Sequence, residues 1–185
     1  MPNPKRIWYP RACFHITARG NRKTDIFYEP NDRYRYLQFL TEAKQSYPFK
    51  IHAYCLMTNH IHLLVETINH PPGTFMKDVH SKYAMYFNKK YDYVGHLFQG
   101  PYKADLQGDV NALLQVSRYI HLNPCRALIT SKPETYKWSS YPHYLSLMPY
   151  PSSIVTTSTI LSYFKSPEEY AFFVNLANKT TSGHP

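Results

Sequence analysis

The chain reads as an α+β protein, and three observations say so. Short apolar or alternating runs lie at 13–19, 51–57 and 60–66, where side chains two apart share one face of a strand. Apolar residues recur at three- and four-residue spacing through 36–47, 74–90 and 110–123, the period of an amphipathic helix. Proline, glycine and asparagine punctuate the joins. At 185 residues a single core is the default, with enough chain to bury it.

The elements follow in order. Cys13 to Arg19 turns Phe14, Ile16 and Ala18 one way and His15, Thr17 and Arg19 the other, and ends at Gly20-Asn21. Asn31 or Asp32 is placed to cap a helix whose Tyr36, Leu37, Phe39, Leu40 and Ala43 form a stripe up to about Tyr47. Pro48 marks its exit. Ile51 to Met57 is a second strand, and Thr58-Asn59 turns tightly into a third, His60 to Glu66. So short a link makes those two strands antiparallel neighbours.

Pro71-Pro72-Gly73 breaks the pattern before a helix from Thr74 to about Lys90, with Phe75, Val79, Tyr83, Tyr86 and Phe87 on its buried stripe. Leu97 to Leu106 is extended, interrupted at Gly100-Pro101. Asp109 then caps a helix to about Asn123, where Pro124 fits an exit. This order predicts a ferredoxin-like βαββαβ sandwich, with an antiparallel sheet and two helices on one face, plus a further helix.

Beyond Trp138 the chain is rich in Pro, Ser and Thr. A last helix starts at Ser166, with Pro167 first and Glu169 completing a capping box. It is expected to pack Tyr170, Phe173 and Val174 onto the body. Residues 1–138 are thus expected as the main domain and 139–185 as a helical extension packed on it, with 179–185 disordered.

Charge and composition bound the function. Lys and Arg number 21 against 12 acidic residues, a formal charge of +9. Residues 1–24 hold Lys5, Arg6, Arg11, Arg19, Arg22 and Lys23 without one acid. Such a surface attracts polyanions, nucleic acid first. The 18 tyrosines supply core, and beside basic residues they also supply stacking platforms for unpaired bases. Cys13, Cys55 and Cys125 are odd in number and widely spaced, as reduced thiols in a cytoplasmic protein would be. Met1 to Pro10 is polar and proline-rich, unlike a signal peptide, and no apolar run reaches membrane-spanning length. A soluble, cytoplasmic protein without a membrane partner is expected.

The chemistry concentrates at His60-Ile61-His62. On one strand the two imidazoles project together, their Cα atoms roughly 6–7 Å apart, while Ile61, Leu63 and Val65 face the other way. Two such rings can chelate one metal ion. On the helix from Asp109, at about 100° per residue, Val110, Leu113, Leu114, Ser117 and Ile120 share a stripe. Tyr119 and Asn123 emerge together on another side. If that helix lies along the histidine face, two imidazoles and an amide oxygen make a three-ligand site with open positions. Tyr119 could then attack a phosphodiester; a phenol is a weak nucleophile at neutral pH and needs a cation or a base. Tyr83, Tyr86 and Tyr102 are alternatives on geometry alone. His121 points about 160° away from Tyr119, towards packing or a phosphate contact.

Four blocks carry a family resemblance: Phe14 to Asn21, Tyr54 to Val65 with its Asn59-His60-Ile61-His62 core, Gly95 to Lys103, and Arg118 to Ala127. In that order, over about residues 12–130, they resemble the single-tyrosine HUH transposases, and within them the REP-associated tyrosine transposases. Asn123 stands where the insertion-sequence branch usually has Gln, Cys125 where Val is frequent, and Leu128 where Gly is common.

The resemblance implies a ferredoxin-like fold and Mg²⁺ or Mn²⁺ held by His60, His62 and Asn123. Tyr119 would be the nucleophile of a single-strand DNA endonuclease and strand transferase acting on hairpin repeats. Arg11, Arg19, Arg22, Lys23, Lys103 and Arg118 are the expected DNA contacts. A monomer is expected, with a dimer as the alternative. Two other readings remain open at this point: a repeat-binding protein that does not cut, and a structural zinc site.

Overall fold

The computed structural model describes residues 7–147 and 154–179. Its four strands are β1 Cys13–Arg19, β2 Phe49–Leu56, β3 His60–Thr67 and β4 Lys103–Gln107. They form one antiparallel sheet in the order β2-β3-β1-β4. Helices α1 Pro30–Ser46 and α2 Pro72–Tyr91 cover one face. Helix α3 Val110–Arg126 lies across the other, against β2, β3 and β4. This is the expected ferredoxin-like βαββαβ sandwich, with the further helix on the open side of the sheet.

The alternation of β1 does what its sequence dictates. Phe14, Ile16 and Ala18 are buried beneath α1 and α2, and Cys13, His15 and Thr17 stand half-buried on the α3 side. The central stretches of β2 and β3 are buried on both faces, which is why they read as continuous apolar runs rather than alternating ones. A bulge between Ile51 and Ala53 leaves His52 as the extra residue of β2.

Several boundaries move for local reasons. Helix α1 begins with Pro30 after an N-cap at Glu29, and Asp32 sits at its third position. There its carboxylate accepts from the Tyr28 and Glu29 N–H groups at 2.8 and 3.0 Å. Helix α2 starts at Pro72, since proline presets the φ of a first helical residue. Of the extended segment from Leu97, only Lys103–Gln107 pairs as a strand; Phe98 makes a single bridge to Gly20.

Helix α3 runs through Pro124 to Arg126 instead of leaving there. The chain turns away where Leu128 takes a left-handed φ of 57°. That turn lets the Leu128 and Ile129 N–H groups cap the carbonyls of Cys125 and Pro124.

The C-terminal third adds α4 Tyr141–Tyr144, α5 Ser158–Leu161 and α6 Pro167–Lys179. Tyr141, Tyr144, Ile160, Tyr170 and Val174 form a second apolar layer with Leu64 and Ile120, roofing the α3 side of the sheet. Tyr170 and Val174 are buried as expected, while Phe173 is half-exposed. Helix α6 reaches Lys179, and the rest of the expected tail, 180–185, lies outside the described residues, as do Lys5 and Arg6.

Candidate functional site

The two histidines of β3 and two residues one turn apart on α3 meet above the sheet. His60 Nε2 lies 3.3 Å from Asn123 Oδ1, and Asn123 Nδ2 lies 3.2 Å from His62 Nε2. The Tyr119 ring stands edge-on to His62, with centroids 5.4 Å apart. The Arg126 guanidinium sits 4.9 Å from the centre of the Tyr119 ring. A cavity of about 600 Å³ opens over these groups and is lined by Arg19, Gln99, Lys103 and Asp105 among others. A larger one, about 770 Å³, opens beyond Gln99 against α2, but His60, His62 and Tyr119 line the smaller.

The hydrogen-bond network assigns the tautomers. Asn59 Nδ2 donates to the Lys23 carbonyl at 3.1 Å, so its Oδ1 accepts from His60 Nδ1 at 2.7 Å. His60 Nε2 is then a bare lone pair, and it faces the lone pairs of Asn123 Oδ1. His62 Nε2 accepts from Asn123, so its Nδ1–H donates to His15 Nε2 at 3.0 Å.

Burial pushes the His62 pKa down to about 3, and the neighbouring His15, His60 and Arg19 charges push the same way. Burial also lowers His60, against the Asn123 contact that raises it. Both rings are therefore neutral near pH 7. Two acceptors face each other at 3.3 Å with no proton between them, an arrangement that could hold a cation. Imidazole nitrogen and amide oxygen suit a borderline divalent ion.

His15 is the site residue that sequence reasoning passed over. Its ring stacks on His62 at 5.2 Å and meets Tyr119 edge-on at 5.9 Å. The alternation of β1, which puts His15 on the same face as Thr17 and Arg19, was the available signal. Asp105, its partner on β4, supplies a carboxylate that opposes the lowering of the His15 pKa by burial.

The expected DNA contacts fall in different places. Arg19 and Lys103 line the cavity. Arg22 and Lys23 are exposed in the turn after β1. Arg11 lies at the other end of β1, with Nε 3.4 Å from Glu66. Arg118 turns towards α6, its guanidinium 4.6 Å from the Phe173 ring.

The alternative tyrosines lie across the sheet. Tyr83 is fully buried and donates to the Ile26 carbonyl, Tyr86 donates to Asp32, and Tyr102 packs on the α1–α2 core. His121 is a packing residue and no phosphate contact: it is fully buried, 2.8 Å from both Ser140 Oγ and the Tyr170 hydroxyl.

A ferredoxin-like sheet whose His-x-His strand faces a tyrosine-bearing helix defines a narrow class of protein. A family model for IS200-like transposases matches residues 9–123, which takes in His60, His62, Tyr119 and Asn123. The chain belongs to the IS200-like transposase family, and so to a group of DNA-cleaving enzymes.

Among solved structures, a REP-associated tyrosine transposase bound to a REP hairpin is similar in fold. The match covers 84% of this chain and 94% of that one, with a TM-score of 0.66 and 15% identity. A putative transposase from Deinococcus radiodurans R1 aligns over 65% of this chain and 95% of its own, at 19% identity and a TM-score of 0.43. No curated protein matches significantly. Among the described residues no helix is long and apolar enough to cross a membrane.

Proposed function

We infer that the protein is a REP-associated type of tyrosine transposase. It cuts and rejoins single-stranded or hairpin DNA through a covalent 5′-phosphotyrosine. The observation that carries this reading is the convergence of Tyr119 and Asn123 on His60 and His62, with the lone pairs of His60 Nε2 and Asn123 Oδ1 turned on one another. The similar structure solved with a REP hairpin supports the hairpin as the kind of DNA bound.

His60, His62 and Asn123 would hold Mn²⁺ or Mg²⁺, which supplies charge neutralisation at the non-bridging phosphate oxygens. The other roles belong to the chain itself. Arg19 and Lys103 hold the flanking phosphates in the cavity, with Arg22 and Lys23 extending the basic track outside it. Arg11 and Arg118, further away, serve longer DNA arms.

The Tyr119 oxygen bonds to phosphorus as the bond to the 3′ oxygen breaks, and the net transfer of the phenolic proton leaves a 3′-hydroxyl. Rejoining reverses these steps: a 3′-hydroxyl attacks the phosphotyrosine and Tyr119 regains its proton. One ester replaces another, so no ATP is needed. Tyr119 and Asn123 reach His60 and His62 within one fold, which supports action in cis; a monomer is the simplest form for that, and the three free cysteines suit the cytoplasm.

The test is incubation with labelled hairpin DNA and Mn²⁺ or Mg²⁺, followed by denaturing electrophoresis. The wild type should give a covalent adduct. Tyr119→Phe should give none while binding the hairpin with unchanged affinity. An adduct that survives in Tyr119→Phe overturns the nucleophile, and hairpin binding by the wild type without any adduct overturns the transferase in favour of a binding protein.

A further inference from the structure

The histidine face of β3 does not end at His62. It continues through Leu64 to Glu66, about 13 Å along the strand. Across β1 the register partner of Glu66 is Cys13. From the other side the bulge in β2 frees His52, fully buried, to turn onto the same carboxylate. The Cys13 Sγ, the His52 ring nitrogen and a Glu66 oxygen all lie within 4.8 Å of one another. We propose that Cys13, His52 and Glu66 form a second metal site, for a zinc-like divalent ion, that clamps the end of the sheet opposite the Tyr119 cavity.

The donor accounting supports it. His52 Nδ1 lies 3.2 Å from the Thr156 carbonyl, a group that only accepts, so the ring proton belongs there. Nε2 then turns a lone pair on Glu66 Oε2, also 3.2 Å away. A proton or a metal ion must lie between them. Burial works against the proton and lowers the His52 pKa, with Thr156 and Glu66 opposing.

A backbone carbonyl that fixes one ring nitrogen as donor and leaves the other as ligand is the usual support of a metal-binding histidine. The 3.2 Å separation also matches neighbouring ligands about 2 Å from a shared ion. Burial and Glu66 raise the free Cys13 thiol to about 11, so a metal is what would make it a thiolate.

Thiolate, imidazole and carboxylate together select zinc over magnesium or calcium. Cys13 also lines a cavity of about 200 Å³ with Tyr9, Arg11 and Asp109, from which water can supply a fourth ligand. Arg11 Nε and Lys50 Nζ also approach Glu66, at 3.4 and 3.2 Å. Arg11 takes the outer oxygen, Oε1. Lys50 touches both, so its flexible, partly exposed ammonium has to release Oε2 for the ion. That competition sets the site below a four-ligand zinc site in affinity.

The experiment uses the full chain, stripped with a chelator and titrated with Co²⁺. Cobalt bound to thiolate gives a charge-transfer absorption that imidazole and amide ligands do not, so the Tyr119 site is silent. Saturating Co²⁺ should raise the band in the wild type and equally in the His60→Ala/His62→Ala double variant. Added Zn²⁺ should abolish it. Cys13→Ser, close in size, should lack it.

Thermal melting gives the second measurement. Zn²⁺ should raise the midpoint of the double variant and leave that of Cys13→Ser unmoved. No band and no shift in the double variant would mean that His52 and Glu66 share only a proton, and the site is overturned. A band that persists in Cys13→Ser overturns it as well, by pointing to Cys55 or Cys125. Because the reading is taken without His60 and His62, it stands or falls separately from the transposase chemistry.

Discussion

At the scale of single residues, what distinguishes this site is how each ring nitrogen is spoken for. Lys23, Asn59 and His60 form one chain of donors and acceptors, and His15, His62 and Asn123 form another. Each ends in a lone pair aimed at the space between β3 and α3. His15 is the outer support of the second chain: it accepts the Nδ1 proton of His62 and thereby keeps Nε2 an acceptor, turned on Asn123. His15→Phe keeps the stacked ring and removes the nitrogen. A supporting partner of this kind is worth roughly 10–100-fold in metal affinity. Mn²⁺ binding measured calorimetrically should weaken by about that factor, with hairpin affinity unchanged. Wild-type Mn²⁺ affinity in His15→Phe would remove His15 from the site.

At the scale of elements, much of the fold was legible because its signals are local. The alternation of Cys13 to Arg19, the Thr58-Asn59 turn and the cap at Asp109 each rest on residues a few positions apart. The pairing of Tyr119 with Asn123 was legible for the same reason, since both follow from one helical repeat.

What joins α3 to His60 is a crossing over the sheet, and no local pattern encodes it; family resemblance supplied that step. The cluster of Cys13, His52 and Glu66 was invisible because a bulge turns His52, and strand arithmetic without the bulge sends it the wrong way. The end of α3 was misjudged because the helix carries Pro124 in its last turn at the loss of one backbone bond to the Ile120 carbonyl, and the true stop is a left-handed residue beyond Arg126.

That residue is Leu128, 92% exposed at a φ of 57°, a conformation in which a Cβ is strained and glycine is not. Leu128→Gly should therefore stabilise the protein by about 0.5–1 kcal/mol after the added flexibility of the unfolded chain is counted. The thermal midpoint should rise by roughly 1–4 °C. A lower midpoint would mean that the leucine side chain contributes packing there.

At the scale of the whole molecule, the sheet is sandwiched between two layers that each bury an uncharged imidazole. In the α1–α2 layer His80 Nε2 is hydrogen-bonded to the Tyr36 hydroxyl at 3.1 Å and the ring stacks on Phe98. In the α3 layer His121 lies between Ser140 and Tyr170, tying the C-terminal helices to α3. Burial pushes both pKa values down to about 3, far below the ordinary value near 6.5 that the unfolded chain retains.

Between those limits the unfolded chain binds protons that the folded one refuses. Stability is therefore full above pH 6.5 and is lost as pH falls towards 3, by about 2 kcal/mol for each ring between pH 6.5 and 5. Asp32 acts lower down. Burial opposes its charge, but hydrogen bonds from Lys90, the Glu29 and Tyr28 N–H groups and Tyr91 hold its carboxyl below the usual range. Its share therefore persists to about pH 4 and is lost only below that. The basic surface adds self-repulsion in the same direction.

Urea midpoints followed by circular dichroism in chelator should be flat from pH 8 to 7 and fall steadily from 6.5 to 5. His121→Gln keeps a hydrogen-bonding side chain without the titration. It should start less stable at pH 7 and lose stability more slowly on acidification. An unchanged slope in that variant would mean that His121 takes up its proton inside the folded protein, and that the α3 layer opens before the rest unfolds.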